Sequence, residues 1–190
     1  VEMLRTGCPK SFRGLNSGMG SSNLDPPPAQ AIADFRPWAK DAQFSVEIDP
    51  TEVDQDRIDA LQAIGMTRAS IGVQDFDPMV QDAIGRQQSF EQTRDVVAML
   101  RAANVRSLNM DILYGLPHQT RERLADSVQR VLSLNPDRVA LYGYAHVPWM
   151  AKRQVMIPGD ALPDAEARLD LFNTARELFL WDGYREIGID

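Results

Sequence analysis

The sequence predicts an α/β fold built on a parallel β-sheet. From residue 44 onward, apolar runs of strand length alternate with amphipathic helical segments, and polar residues collect where the runs end. Strands that alternate with helices pair in parallel, because parallel neighbours need a crossover connection. The chain has 190 residues, 44% of them apolar, which is enough for one hydrophobic core.

Five short runs, apolar or β-branched and bounded by turn residues, are predicted as strands: residues 44–48, 69–73, 108–113, 139–144 and 186–189. Residues 1–30 are different, because they combine glycines and serines with three consecutive prolines and lack any sustained hydrophobic period. We therefore expect an irregular segment over residues 1–30, followed by the α/β domain over residues 31–190.

Four helices are predicted from their capping signals and apolar faces. The first begins at Asp49, an N-cap residue followed by proline, and ends at Gly65. The second begins at Ser89, which forms a capping box with the glutamine three residues later. The third covers residues 124–132, and the last and longest covers residues 163–181.

The charge balance excludes several classes of partner. Acidic residues outnumber basic ones by 27 to 20, giving a net charge of −7, so we expect no surface for nucleic acid or anionic lipid. We expect no membrane span, since no apolar run approaches about 20 residues. The one cysteine, Cys8, excludes a disulfide framework and a cysteine-only metal site, so no metal ligands are predicted. These features together predict a cytoplasmic protein.

Polar residues end nearly every predicted strand. Glu47, Asn109 and Asp111 lie inside or at the end of strands, and period two places Asn109 with Asp111 on one face. In α/β sheets this carboxyl edge is where ligands bind. The alternative is that such residues cap the next helix, which we expect for Asp49. Without further context, Arg86 is interpreted as an exposed loop arginine.

Five segments, taken in order and with their spacing, resemble the radical S-adenosylmethionine enzymes that act as oxygen-independent coproporphyrinogen III oxidases. They are VEIDP at 46–50, IGVQDF at 71–76, GR at 85–86, NMDILYGLP at 109–117 and YAHVP at 144–148. The resemblance implies a partial (β/α)6 radical-SAM barrel that binds S-adenosylmethionine at the carboxyl edge of its strands. In this chain we expect the barrel to be incomplete at both ends.

The resemblance also implies which residues contact S-adenosylmethionine: Glu47, Gln74, Arg86, Asp111 and Ala145. Their chemistry suits the ligand. A carboxylate can bind the α-ammonium group, a guanidinium the carboxylate, and polar groups the ribose hydroxyls, while a small residue leaves room for adenine.

Enzymes of this family generate a 5′-deoxyadenosyl radical with a [4Fe–4S] cluster and convert substrate propionates to vinyl groups, so the implied substrate is coproporphyrinogen III. Their cluster is held by a Cys-x3-Cys-x2-Cys run. Here Cys8 could begin such a run, but Phe12 and Leu15 stand at the next two ligand positions. We therefore expect no cluster and an inactive fragment, monomeric like the family.

Two other interpretations stay open. One is the related heme-chaperone branch, in which the second motif usually reads Gln-Ser-Phe and the YAHVP segment is replaced. Gln74-Asp75-Phe76 and Ala145-His146 favour the oxidase instead. The other is a different S-adenosylmethionine-binding barrel, which would explain the polar strand ends but not all five segments in register.

Overall fold

The computed structural model describes residues 1–5 and 42–188 of the chain. Its strands are β1 (Glu2–Arg5), β2 (Ser45–Ile48), β3 (Arg68–Gln74), β4 (Ser107–Tyr114), β5 (Arg138–Gly143) and β6 (Tyr184–Gly188). Its α-helices are α1 (Gln55–Ala63), α2 (Pro78–Ile84), α3 (Phe90–Ala102), α4 (Arg121–Ser133) and α5 (Ala165–Trp181). Two short 3₁₀ helices, Lys152–Met156 and Gly159–Ala161, lie between β5 and α5.

The strands form one sheet in the order β2-β3-β4-β5-β1-β6. Strands β2 to β5 are parallel neighbours, joined by helical crossovers, which confirms the predicted α/β architecture. All five predicted strands are present, with bounds shifted by one or two residues. Their carboxyl ends meet at one edge of the sheet, where the candidate residues were expected.

Strand β1 was not predicted. It pairs antiparallel with β5 on one side and with β6 on the other, so β6 does not adjoin β5 directly. The expectation of irregular structure is therefore wrong for residues 2–5. A strand of four residues is too short to show a hydrophobic alternation in the sequence. This strand forms because it pairs with strands that are distant in the sequence. The predicted boundary at residue 30 lies outside the described residues.

The first helix begins later than predicted. Asp49 does not cap it, because its carboxylate accepts hydrogen bonds from the backbone N–H (2.9 Å) and hydroxyl (2.7 Å) of Thr51 in a tight turn. The N-cap of α1 is Asp54, whose Oδ1 accepts from the Arg57 amide. Helix α2 was missed, although Asp77 caps it, proline starts it and Gly85 ends it at φ 65°.

The core lies between one face of the sheet and the helices. Every second residue of β4 from Leu108 to Ile112 is buried, and the core-facing side chains of β3 and β4 pack with apolar residues of α3, α4 and α5. The opposite face carries the alternate, polar residues of the same strands. No helix in the described ranges is long and apolar enough to cross a bilayer.

Candidate functional site

A row of polar residues crosses the face of the sheet that points away from the core. The strand register aligns Glu47 with Ser70, Ser70 with Asn109, and Asn109 with Arg138. One step nearer the carboxyl edge, Gly72 aligns with Asp111. The parallel register therefore brings polar groups from four strands side by side. The alternation of side chains in the sequence could show only which residues of one strand share a face.

Asp111 is held by its neighbours in this row. The Asn109 side-chain amide donates to Asp111 Oδ1 at 2.7 Å and to Ser70 Oγ at 2.9 Å. The Ser70 hydroxyl in turn donates to Asp111 Oδ2 at 3.2 Å. Both carboxylate oxygens thus have a fixed partner, so Asp111 presents a defined orientation to any ligand.

Glu47 and Asp111 form a hydrogen-bonded carboxyl pair. Burial is the largest cause that raises the pKa of Glu47, from 4.5 to about 7, and the negative charge of Asp111 adds to it. The Ser70 hydroxyl and the Arg86 guanidinium act in the opposite direction. Up to about pH 7 the pair therefore holds a proton, because burial, and then the charge of Asp111, disfavours the ionised form of Glu47.

Arg86 is half-buried and not an exposed loop arginine. Its Nη2 donates to Asp49 Oδ2 at 3.1 Å and to the Gly72 carbonyl at 3.0 Å, and Gln88 accepts from the same guanidinium. Burial raises the pKa of Asp49, but the hydrogen bonds from Thr51 and the charge of Arg86 outweigh it and lower the pKa. These contacts fix a cation at the carboxyl edge of β3.

Gln74 lies beside Arg86 at the end of β3. Its φ of 65° is unusual for a residue other than glycine, and the pairing of β3 with β4 shifts register between Gly72 and Gln74. A Cβ added at Gly72 would lie 2.9 Å from Gln74 Nε2 and 3.4 Å from Arg86 Nη2. The glycine thus leaves room for both polar side chains on this face.

Ala145 lies two residues beyond β5 at the same edge, and its side chain is exposed. The amide Nε2 of Gln154 donates to the Ala145 carbonyl at 3.0 Å. The structure therefore connects Glu47, Asp111, Arg86 and Gln74 in one polar cluster, with Ala145 at the end of a neighbouring strand. Their contacts with S-adenosylmethionine stay a prediction.

Asp75 directly follows β3 but belongs to a different network, and its side chain is fully buried. Its carboxylate accepts from the Ser127 hydroxyl (2.6 Å), the Gln119 amide (2.6 Å) and the backbone N–H of Asp77 (2.7 Å). Burial raises the pKa of Asp75, although these hydrogen bonds oppose the shift. The network ties the loop after β3 to α4 and to the loop after β4, so its role is structural.

Two residues of the site were not identified from the sequence, Ser70 and Arg138. Of the two, Ser70 could have been identified more easily from the sequence, since it is a polar residue between apolar ones in a buried strand. Its partner Asn109 was visible, but their contact depends on the register of two strands 39 positions apart. Arg138 opens β5 and gave no signal beyond its charge.

With this geometry established, comparisons with known proteins identify the family. A family model described as the Radical SAM superfamily matches residues 1–131. The chain belongs to the radical SAM superfamily. This confirms the superfamily that the five sequence segments indicated.

Within the radical SAM superfamily, the chain is similar to oxygen-independent coproporphyrinogen III oxidases. It is 59% identical to that of Paracoccus denitrificans, covering 100% of this chain and 44% of the relative. It is 57% identical to that of Cereibacter sphaeroides, covering 93% of this chain and 40% of the relative. The chain thus spans less than half the length of these curated relatives.

Solved structures agree with this placement. The radical SAM enzyme coproporphyrinogen III oxidase from Escherichia coli matches with a TM-score of 0.82 and 36% identity, over 85% of this chain and 37% of that chain. The Elp3 protein of Methanocaldococcus infernus, at 17% identity and a TM-score of 0.57, matches over 72% of this chain and 33% of that chain and supports the fold alone.

Proposed function

We propose that this chain is part of an oxygen-independent coproporphyrinogen III oxidase and that its polar cluster binds S-adenosylmethionine. The proposal rests on one observation: four polar residues lie together on one face of the sheet, at its carboxyl edge. They are Glu47, Asp111, Arg86 and Gln74. The oxidase names of the curated relatives support the substrate, coproporphyrinogen III. The product would be a porphyrinogen in which substrate propionates have lost hydrogen and carbon dioxide and become vinyl groups.

The donor set fits S-adenosylmethionine, which is cationic at sulfur and at its α-ammonium group and anionic at its carboxylate. Arg86, held by Asp49 and Gly72, would bind the carboxylate. The Glu47–Asp111 pair would accept from the α-ammonium group or the ribose hydroxyls, and ligand binding would release the proton that the pair holds. S-adenosylmethionine bound here would supply the 5′-deoxyadenosyl radical only with a reducing electron from a donor outside the residues of this chain.

The residues of this chain do not fit a [4Fe–4S] cluster. Such clusters are held by several cysteine thiolates, and the sequence contains one cysteine. Among residues 1–5 and 42–188, no group of three His, Cys, Asp or Glu is arranged to hold a metal ion. We therefore derive no step through a cluster in this chain and expect it to bind the cofactor without turning over substrate.

Calorimetric titration with S-adenosylmethionine tests the proposal. We expect the parent chain to bind and Arg86→Ala to weaken the affinity about tenfold or more, since a charge-assisted contact contributes roughly 1.5–3 kcal/mol. Arg94→Ala is the matched control, because Arg94 also forms an ion pair but lies exposed on α3. Absence of binding to the parent, or equal loss in both variants, would contradict the proposed site.

A further inference from the structure

A basic and apolar stretch follows β5 directly, and we refer to residues 145–159 as the 145–159 segment. It contains Lys152 and Arg153 and no acidic residue, in a chain whose net charge is −7. Acidic residues outnumber basic ones in the chain as a whole, but none of them lies in the 145–159 segment. A local cluster of this sign attracts anions even when the whole protein is acidic.

The same segment exposes large apolar side chains. Trp149, Met150, Val155 and Met156 have exposed fractions of 76%, 78%, 65% and 86%. Single exposed apolar residues are common, but several within one short segment mark a binding surface. Lys152 and Arg153 lie between the two apolar pairs and are themselves exposed, so the surface combines apolar contact with positive charge.

Hydrogen bonds hold this segment at the carboxyl edge of the sheet. The Gln154 side chain donates to the Ala145 carbonyl at 3.0 Å and accepts from the Val147 amide at 2.5 Å, which folds the segment back onto the end of β5. Just beyond its far end, the Ala161 carbonyl accepts from the His118 amide at 3.0 Å. The surface therefore begins beside Ala145, one of the predicted S-adenosylmethionine contacts.

We propose that the 145–159 segment binds the tetrapyrrole substrate, with its apolar side chains against the ring and with Lys152 and Arg153 paired with propionate carboxylates. This inference rests on the proposed function and assigns the substrate surface that the proposal left open. The ligand chemistry matches, because coproporphyrinogen III joins a broad apolar ring to several carboxylates. A substrate bound here lies at the edge where the radical would form.

Titration with coproporphyrin III, the stable oxidised form of the substrate, followed by porphyrin absorbance, tests this surface. Lys152→Glu/Arg153→Glu is expected to weaken the affinity of the chain by roughly tenfold or more, because two attractive contacts become repulsive. Arg106→Glu/Arg185→Glu is the matched control. It changes the net charge equally, at exposed residues away from the carboxyl edge, and is expected to leave the affinity unchanged.

A second pair of variants tests the apolar component independently of charge. Trp149→Ala/Met150→Ala is expected to lower the affinity several-fold, whereas Trp181→Ala, which removes a 94% exposed tryptophan at the end of α5, is not. Parent-like affinity in both segment variants, or equal loss in segment and control variants, would overturn this inference while leaving the proposed function standing. Failure of the parent to bind porphyrin, with S-adenosylmethionine binding intact, would overturn both the surface and the proposed substrate.

Discussion

Glu47 couples the protonation of the site to the stability of the fold. Its pKa is about 7 in the folded chain against an ordinary value of 4.5, so the folded state holds a proton that the unfolded state releases. The stabilising contribution is fully present below about pH 4.5 and is lost as the pH rises through about 7. We expect Glu47→Gln to flatten this part of the Tm profile, measured by thermal unfolding across that window. A profile identical to the parent's would contradict the shift.

Asn109 orients Asp111 from the same strand. Asn109→Ala removes the hydrogen bonds that Asn109 donates to Asp111 and to Ser70, so Asp111 loses one of its orienting partners and keeps Ser70 and Glu47. We expect a several-fold loss of S-adenosylmethionine affinity for a cost of about 1 kcal/mol in the free energy of unfolding. Calorimetry and denaturant unfolding on one preparation measure both. Ser107→Ala, on the same strand face but further from the edge, serves as the control and is expected to change neither quantity.

Gly72 makes room for the polar side chains at the end of β3. In Gly72→Ala the new methyl group meets Gln74 Nε2 first, and this flexible side chain can move aside. We therefore expect a stability loss of about 1 kcal/mol or less but clearly weaker S-adenosylmethionine binding. Gly188→Ala is the matched control, because open space surrounds that position. Unchanged affinity in Gly72→Ala would show that Gln74 does not contact the ligand.

At the scale of elements, the buried network around Asp75 fixes how the loops after β3 and β4 meet α4. Asp75→Ala leaves donors from Ser127, Gln119 and Asp77 without their acceptor inside the protein. We expect it to lower the free energy of unfolding by roughly 3 kcal/mol or more. Asp77→Ala, which removes the N-cap of α2 and the ion pair with Arg123, is expected to cost about 1 kcal/mol. Equal losses in urea denaturation would contradict the structural role of Asp75.

The sequence predicted those elements whose signal is local. Strands β2 to β5 were predicted from short apolar or β-branched runs, and Asn109 with Asp111 followed from period two. Helix α2 was missed because seven residues are too few to show an apolar face, although Asp77 and Gly85 mark its ends. The capping role predicted for Asp49 was wrong because the choice between a cap and a turn depends on Thr51 and on Arg86, a partner 37 positions away.

At the scale of the whole molecule, the chain has the radical SAM fold but lacks the cysteines that would hold a [4Fe–4S] cluster. The barrel strands and the polar row are present, whereas Cys8 is the one thiol in the sequence. We expect anaerobic reconstitution with iron and sulfide to leave the chain without a stoichiometric cluster, since one thiolate cannot replace several. Iron and sulfide analysis measures this directly. Close to four irons per chain, with broad visible absorption, would contradict the expectation.

The position of β1 also has consequences for how the chain reaches its folded state. Residues 2–4 pair with residues 138–140, and residues 2–5 pair with residues 184–188, so these contacts join segments that are far apart in sequence. Closing such long loops is entropically costly and slows folding, whereas β2 to β5 form through shorter βαβ steps. During synthesis, β1 is made before the other described strands, and the strands with which it pairs, β5 and β6, follow last among them. Of the strands in residues 1–5 and 42–188, it therefore waits longest for its partners and is exposed to non-native pairing while the chain grows.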